Sequence, residues 1–327
     1  MSRLPSTDLY FRNAMAPWVR PRFGWGKRPI RAAGANAFIA GDAFVLIRQD
    51  RPEVMRMALN WRGPMVYVID DDVAAGAVCP LLPDAYRARL ARFEQAFHRD
   101  LLARADIVLA ASDVLAQRLA RNRAGPIMRI DPAWRQPLAD GAHFAPLARG
   151  APLQVVQLGS GSHRGALAAI APIMRDLLDQ HQDLRFTYFA PRTIDQGLER
   201  HSRARRIEPM TWPEYQRWMA RNRFHLALYP LAQTAFDRAR SANKLIEHAI
   251  MGAVGLYPQG WPPAEGREGA LMAPDRPEEW GETITQCIHR RYELQWIAQS
   301  FSKSLPCVQR FAVQQEMWQR ILPIEQW

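Results

Sequence analysis

The strongest constraint on this chain is a rhythm in its apolar residues. Continuous runs of strand length alternate with segments of helical periodicity, in two series separated by one interruption. The first series holds the runs Phe44–Ile47, Met65–Ile69, Ile107–Ala111 and Ile127–Ile130, with helical patterns near 52–60, 84–103 and 113–121. Runs that are apolar throughout, rather than at every second residue, belong to strands buried on both faces. That pattern calls for a parallel sheet covered by helices. Gln136–Pro152 (QPLADGAHFAPLARGAP) then breaks the rhythm with Pro, Gly and Ala. The series restarts with Leu153–Leu158, a helix near 166–180, Leu184–Phe189, a helix near 212–222 and Phe224–Tyr229. A helix near 241–251, a strand Ala253–Tyr257, a short strand near Ala270–Met272 and a helix near 277–295 complete it. The expected fold is α/β, with two doubly wound Rossmann-like domains facing across a cleft. The N-terminal domain is placed at 1–145, the C-terminal domain at 152–300, and a last amphipathic helix at 305–327, packing back on the N-terminal domain.

Composition narrows the partners. With 327 residues, 48% of them hydrophobic, the chain has ample material for two buried cores and is not disordered. Its net charge is 43 − 32 = +11, and only Lys27, Lys244 and Lys303 are lysines, so the excess is one of arginine. Part of that bias is compositional, and the rest suits an anionic partner. Cys79, Cys287 and Cys307 are widely spaced and odd in number, which fits neither a disulfide framework nor a zinc site. No signal-peptide core and no run of about 18 apolar residues is present. A cytoplasmic protein is expected, peripheral on the inner face of the cytoplasmic membrane. Phe11, Trp18, Phe23 and Trp25, interleaved with Arg12, Arg20, Arg22, Lys27, Arg28 and Arg31, would make the contact with anionic lipid or with a phosphorylated acceptor. An arm packed over the first domain competes with that reading.

Two segments carry chemistry. The turn Gly159-Ser160-Gly161-Ser162-His163-Arg164-Gly165 leaves a strand and opens a helix, so its backbone N–H groups can cradle a phosphate. Its glycines read G-x-G-x-x-x-G, which departs from the dinucleotide fingerprint, and Arg192 rather than an acid ends the next strand. The second segment, Phe236-Asp237-Arg238-Ala239-Arg240-Ser241-Ala242-Asn243-Lys244-Leu245-Ile246-Glu247-His248, offers Ser241 as an N-cap. Arg240, Lys244 and Glu247 then share one helical face beginning at the positive end of the dipole. A diphosphate there would meet a guanidinium and an ammonium together, and Glu247 could accept hydrogen bonds from ribose hydroxyls. A solvated salt-bridge face would have the same spacing.

These segments, with His225-Leu226-Ala227-Leu228-Tyr229-Pro230-Leu231 between them, resemble the donor domain of GT-B glycosyltransferases of the broad retaining group called family 4 or "glycosyl transferases group 1". Val66-Tyr67-Val68-Ile69-Asp70-Asp71-Asp72 and Ala105-Asp106-Ile107-Val108-Leu109-Ala110-Ala111-Ser112 agree more loosely, and the similarity spans roughly 43–300. The resemblance implies a nucleoside-diphosphate-sugar donor as substrate, with Arg240 and Lys244 on its diphosphate and Glu247 on its ribose. Gly159, Ser160, Gly161, His163 and Ser241 complete the donor site. A glycan or lipid-linked acceptor would meet Asp70 and Asp72, in bacterial surface polysaccharide or glycoconjugate synthesis. It implies a hexosyltransferase, retaining and metal-independent, that needs no cofactor. The chain departs from the family at its E-x7-E pair, because Ala239 stands eight residues before Glu247, so that the first acid is missing or replaced by nearby Asp237.

Other classes share single features. Asp70 and Asp72 fit the strand-then-D-x-D pattern of Mg²⁺-dependent haloacid-dehalogenase-type phosphatases, but no later acidic pair follows Ala253–Tyr257. An NADP oxidoreductase would use the Gly-rich turn with Arg192. His98-Arg99-Asp100 imitates a kinase loop but lies within a helical pattern. A non-catalytic polyanion binder would use the charge alone, and no nucleic-acid reader motif supports nucleic acid as the partner.

Overall fold

The computed structural model describes residues 3–20, 29–135, 137–159, 163–232, 234–274, 276–305 and 307–323, of which 307–310 by backbone only. The first sheet contains β1 (Ile30–Ala32), β2 (Ala37–Ala40), β3 (Ala43–Ile47), β4 (Met65–Ile69), β5 (Ile107–Ala110) and β6 (Ile127–Arg129), side by side in chain order. β3 to β6 are parallel, and β1–β2–β3 form an antiparallel edge that the sequence rhythm did not announce. Crossovers run through Pro52–Leu59, then Val73–Val78 with the long helix 84–104, then Asp113–Ala120.

Because the four parallel strands advance in one direction, right-handed crossovers put these helices on one face. There they cover Phe44, Leu46, Tyr67, Ile69 and Val108. The opposite face, with Val45, Ile47, Val66, Val68 and Leu109, is covered by the two ends of the chain. One is an N-terminal helix, 5–15, with a π-helical turn at Asp8–Arg12, and the other is the helix Cys307–Ile321. Phe11 lies 4.8 Å from Trp318 in an edge-on contact, and both are fully buried. Burying Leu9, Tyr10, Phe11 and Met15 here contributes about 1.5–3 kcal/mol apiece. Phe11 is therefore spent on the core and is not available to a membrane, while Trp18 packs against that core half-buried. Phe23 and Trp25, with Arg22, Lys27 and Arg28, lie outside the described residues. Among the described residues no helix is long and apolar enough to cross a membrane.

The second sheet contains β7 (Leu153–Gln157), β8 (Leu184–Phe189), β9 (Ala204–Ile207), β10 (Leu226–Leu228), β11 (Val254–Pro258) and β12 (Leu271–Ala273), all parallel. Their order is β12-β11-β10-β7-β8-β9. The chain leaves β7 toward β8 and later returns on the other side of β7 as β10, so the strand order reverses between β7 and β10. Arg164–Gln180 and Pro277–His289 cover one face, Trp212–Arg221 and Asn243–Ile250 the other, and Leu294–Ser304 reaches both, with Leu294 and Ala298 in the core of the first face and Phe301 in that of the second. The expected single helix at 277–295 is thus two, and β9 is an additional edge strand.

Candidate active site

In an open parallel sheet the loops beyond the carboxyl ends of the strands at the reversal point diverge and leave a crevice. Here those loops follow β7 and β10, and they carry both segments singled out in the sequence. Gly159 leaves β7 where an added Cβ would stand 2.8 Å from His163 Cβ and 3.0 Å from Gln157 Nε2, so this turn needs glycine to close. Ser160 and Gly161 lie outside the described residues. His163 is buried, and its pKa is pushed well below the ordinary value by burial and then by Arg240 and Lys244. It is a neutral imidazole beside two cations.

The segment after β10 begins with a short helix, Ala235–Arg238, capped by Thr234 Oγ1, which accepts from the Asp237 amide at 3.0 Å. The next helix is Asn243–Ile250, later than expected. Ala242 takes its cap position with no side-chain cap, and buried Ser241 lies in the turn before it. Arg240 therefore reaches the site from that turn instead of from the helix face. Its side chain is 11% exposed, lies 3.6 Å from Asp237 Oδ1 and stacks 4.5 Å over Phe236. Nε and Nη2 of Arg240 make no hydrogen bond. Burial alone would lower its pKa, but Tyr229, Asp71 and Asp237 outweigh that and raise it. Lys244 pairs with Glu247 Oε2, which also accepts from Tyr215 at 2.7 Å.

Across the crevice, three consecutive aspartates leave β4 in different directions. Asp70 accepts from Ser6 Oγ at 2.5 Å and lies 3.6 Å from Arg48, while Asp71 pairs with Arg48 at 2.5 Å. Burial raises the Asp70 pKa against the pull of Arg48. Asp72 is occupied elsewhere: one oxygen caps Val73–Val78 through the Ala75 amide (2.9 Å), and the other accepts from Arg118 (2.6 Å). The structure thus brings Arg240, Lys244, Glu247, His163, Gly159 and Ser241 to one edge and sets Asp70 opposite them. Asp71 is near enough for its charge to act on Arg240. Arg48 and Tyr215 were not legible, since each acts from another strand or helix, whereas Tyr229 lies in the segment after β10 that the sequence had singled out. Among the described residues no group of three or more His, Cys, Asp or Glu is placed to hold a metal ion.

The domains meet through this site. Phe236 and Ala239 pack in the core of the N-terminal domain. Ser112 Oγ donates to the Ala239 carbonyl at 2.8 Å, and Arg118 to that of Ala235 at 2.6 Å.

No family model matches the sequence, and no curated protein matches it. Solved structures do match in fold. HepE of Anabaena in complex with UDP-glucose is 13% identical at a TM-score of 0.53, over 84% of this chain and 78% of that one. TarM is 9% identical at 0.56, over 86% of this chain and 55% of its own, so the chain spans about half of TarM. A UDP-forming α,α-trehalose-phosphate synthase from Burkholderia xenovorans in complex with glucose-6-phosphate is 8% identical at 0.54, over 84% and 71%. The fold is GT-B. The seam between the two domains holds a cationic pair on one side and a carboxylate pair on the other.

Proposed function

We propose that the chain is a glycosyltransferase that moves a sugar from a nucleoside-diphosphate sugar to a hydroxyl of an acceptor held by the N-terminal domain. The observation that carries this reading is Arg240, a buried guanidinium with two nitrogens, Nε and Nη2, that donate to nothing, beside Lys244 and His163 at the reversal point of a parallel sheet. A buried donor left unsatisfied costs about 1–3 kcal/mol, so its persistence points to an anionic ligand that takes those hydrogens. Lys244 exchanges Glu247 for the more highly charged diphosphate, and the Glu247 carboxylate released from it accepts from ribose hydroxyls. The two cations hold the leaving diphosphate where negative charge develops.

Asp70 and Asp71, braced by Arg48, take the acceptor hydroxyls. Position 239 supplies only a buried alanine, whose carbonyl is held by Ser112, so no side chain there can act as nucleophile. Retention then proceeds on one face of the sugar: the sugar–phosphate bond breaks, the acceptor oxygen bonds the same face, and its proton passes to the departing phosphate. The neighbours complexed with UDP-glucose and glucose-6-phosphate support a uridine donor and a hydroxylated acceptor as first trials. Bacterial polysaccharide or glycoconjugate synthesis is the setting this reading favours.

Thermal-shift measurement with UDP, GDP, dTDP, CMP and NADPH tests it. One nucleoside diphosphate should stabilise the wild-type chain, and Lys244→Ala or Glu247→Ala should lose most of that shift. A response confined to NADPH, or none to any diphosphate, sinks the proposal.

A further inference from the structure

The N-terminal helix 5–15 lies outside the sequence span 43–300 that carries the resemblance, yet it touches both sides of the crevice. It is fastened to the N-terminal domain by Thr7 Oγ1, which donates to Asn36 Oδ1 (2.6 Å), and by Asn13 Nδ2, which donates to the Ala133 carbonyl (2.8 Å). The C-terminal helix holds it from behind: Gln314 Nε2 and Trp318 Nε1 donate to the carbonyls of Leu9 (3.0 Å) and Tyr10 (2.8 Å). From this base Ser6 reaches Asp70, on the acceptor side. Asp8 Oδ2 accepts from Trp212 Nε1 at 2.8 Å, and the Tyr10 hydroxyl donates to Asn243 Oδ1 at 2.7 Å, both in the C-terminal domain.

Asn243 is the first residue of the helix that bears Lys244 and Glu247, and that helix has no side-chain cap of its own. A helix of eight residues without a side-chain cap is poorly fixed at its start, where only the Leu245 amide, donating to the Ala242 carbonyl at 3.1 Å, closes the first turn. The fully buried Tyr10 supplies the fixed point. Burial, and then Asp70, raise its pKa, so its hydroxyl remains a protonated donor.

We propose that the N-terminal helix is a strut through which the acceptor domain sets the donor helix, with Tyr10 as the positioning residue for the diphosphate site. The proposal rests on the donor reading above. It makes closure of the domains and alignment of Lys244 one event, because Tyr10 reaches Asn243 only when the domains are together.

Tyr10→Phe keeps the buried ring and deletes the tether. In calorimetric titration with UDP, or with whichever of UDP, GDP and dTDP stabilises the wild-type chain, the variant should bind about tenfold more weakly, a loss of ~1.4 kcal/mol. Its ligand-free unfolding midpoint should move little. Amide hydrogen exchange of the ligand-free variant should speed up over 243–250 and stay unchanged over 164–180. Equal affinity with unchanged exchange overturns the proposal, as does a loss of protection spread evenly over the chain, which would mark Tyr10 as a packing residue only. If no nucleoside diphosphate binds the wild-type chain, the donor reading fails and takes the diphosphate role with it. The exchange measurement then decides by itself whether Tyr10 fixes the helix.

Discussion

Arg240 keeps a full positive charge where water reaches about a tenth of its side chain, with neighbouring aspartates close enough to hold the charge but not arranged to use its hydrogens. Asp237 is 3.6 Å away, beyond hydrogen-bond length, and is itself held by Thr234. Charge is satisfied and hydrogen bonding is not, and a phosphate ester would complete that state. Arg240→Met preserves the stack on Phe236 and deletes the donors, so affinity for the stabilising nucleoside diphosphate should fall roughly 10–100-fold, from the ~1.5–3 kcal/mol of a charge-assisted hydrogen bond. Arg240→Lys should fall between the two, because an ammonium cannot present a planar fork. Equal nucleotide affinity in all three proteins would show that the guanidinium is structural. Part of this was legible in sequence, since Arg240, Lys244 and Glu247 lie within eight residues of one another. The start of the helix was not: Ser241 has the residue type of an N-cap but lies in the turn before the helix, because the turn 239–242 is shaped by the opposite domain, through Ser112 on the Ala239 carbonyl. Arg48 was invisible for a related reason. It adopts φ 58°, a left-handed conformation unusual for a long side chain, and its two carboxylate partners come from the next strand.

Elements buried on both faces announced themselves: Met65–Ile69 and Leu184–Phe189 form strands with the expected bounds. The edge strand β9 did not, since Ala204-Arg205-Arg206-Ile207 has neither an apolar run nor clean alternation. The N-terminal helix was hidden by the opposite excess. Leu9, Tyr10, Phe11, Ala14 and Met15 surround it with apolar contact, so it lacks the one-sided stripe by which helices are recognised. A finer interdependence is carried by Val73–Val78, which packs on Ala235–Arg238 across the domain seam. A Cβ on Gly76 would stand 2.5 Å from Leu90 Cδ1 and 2.9 Å from Phe236 Cε2. Gly76→Ala gains up to about 1 kcal/mol in helix propensity but costs about 1–3 kcal/mol in overpacking. A net loss in urea stability is expected, with weaker nucleotide binding, because the ring that moves is the one under Arg240. Unchanged binding would show that the seam yields at Leu90 instead.

At the scale of the whole molecule, the closed seam and the two cores keep several imidazoles from water, and this sets how the protein responds to acid. Burial lowers His98 and His225 to a pKa of about 4, and burial with nearby cations holds His163 and His248 well below the usual value. In the unfolded chain each would titrate near ~6.5. Below that pH the unfolded state binds protons that the native state refuses, so stability declines as pH falls from about 6.5 to 4, by ~1.4 kcal/mol per pH unit for each site. Asp70 opposes this, since its raised pKa gives the native state a proton that the unfolded state has lost, and that contribution disappears as pH rises through the native value. Asp106 and Asp183, both lowered, act in the same direction as the imidazoles but only near and below ~4. His143 is lowered by burial as well, so one carboxyl against five imidazoles leaves a net loss in acid. Urea unfolding free energies measured between pH 7 and 4.5 should therefore fall steeply on the acid side. His98→Gln should reduce that slope by about one proton, because only that site is removed and its neighbour Tyr67 does not titrate in the window. A flat profile, or a slope unaltered by His98→Gln, would mean that the native imidazoles take up protons as readily as unfolded ones and that the cores open to water before the chain unfolds.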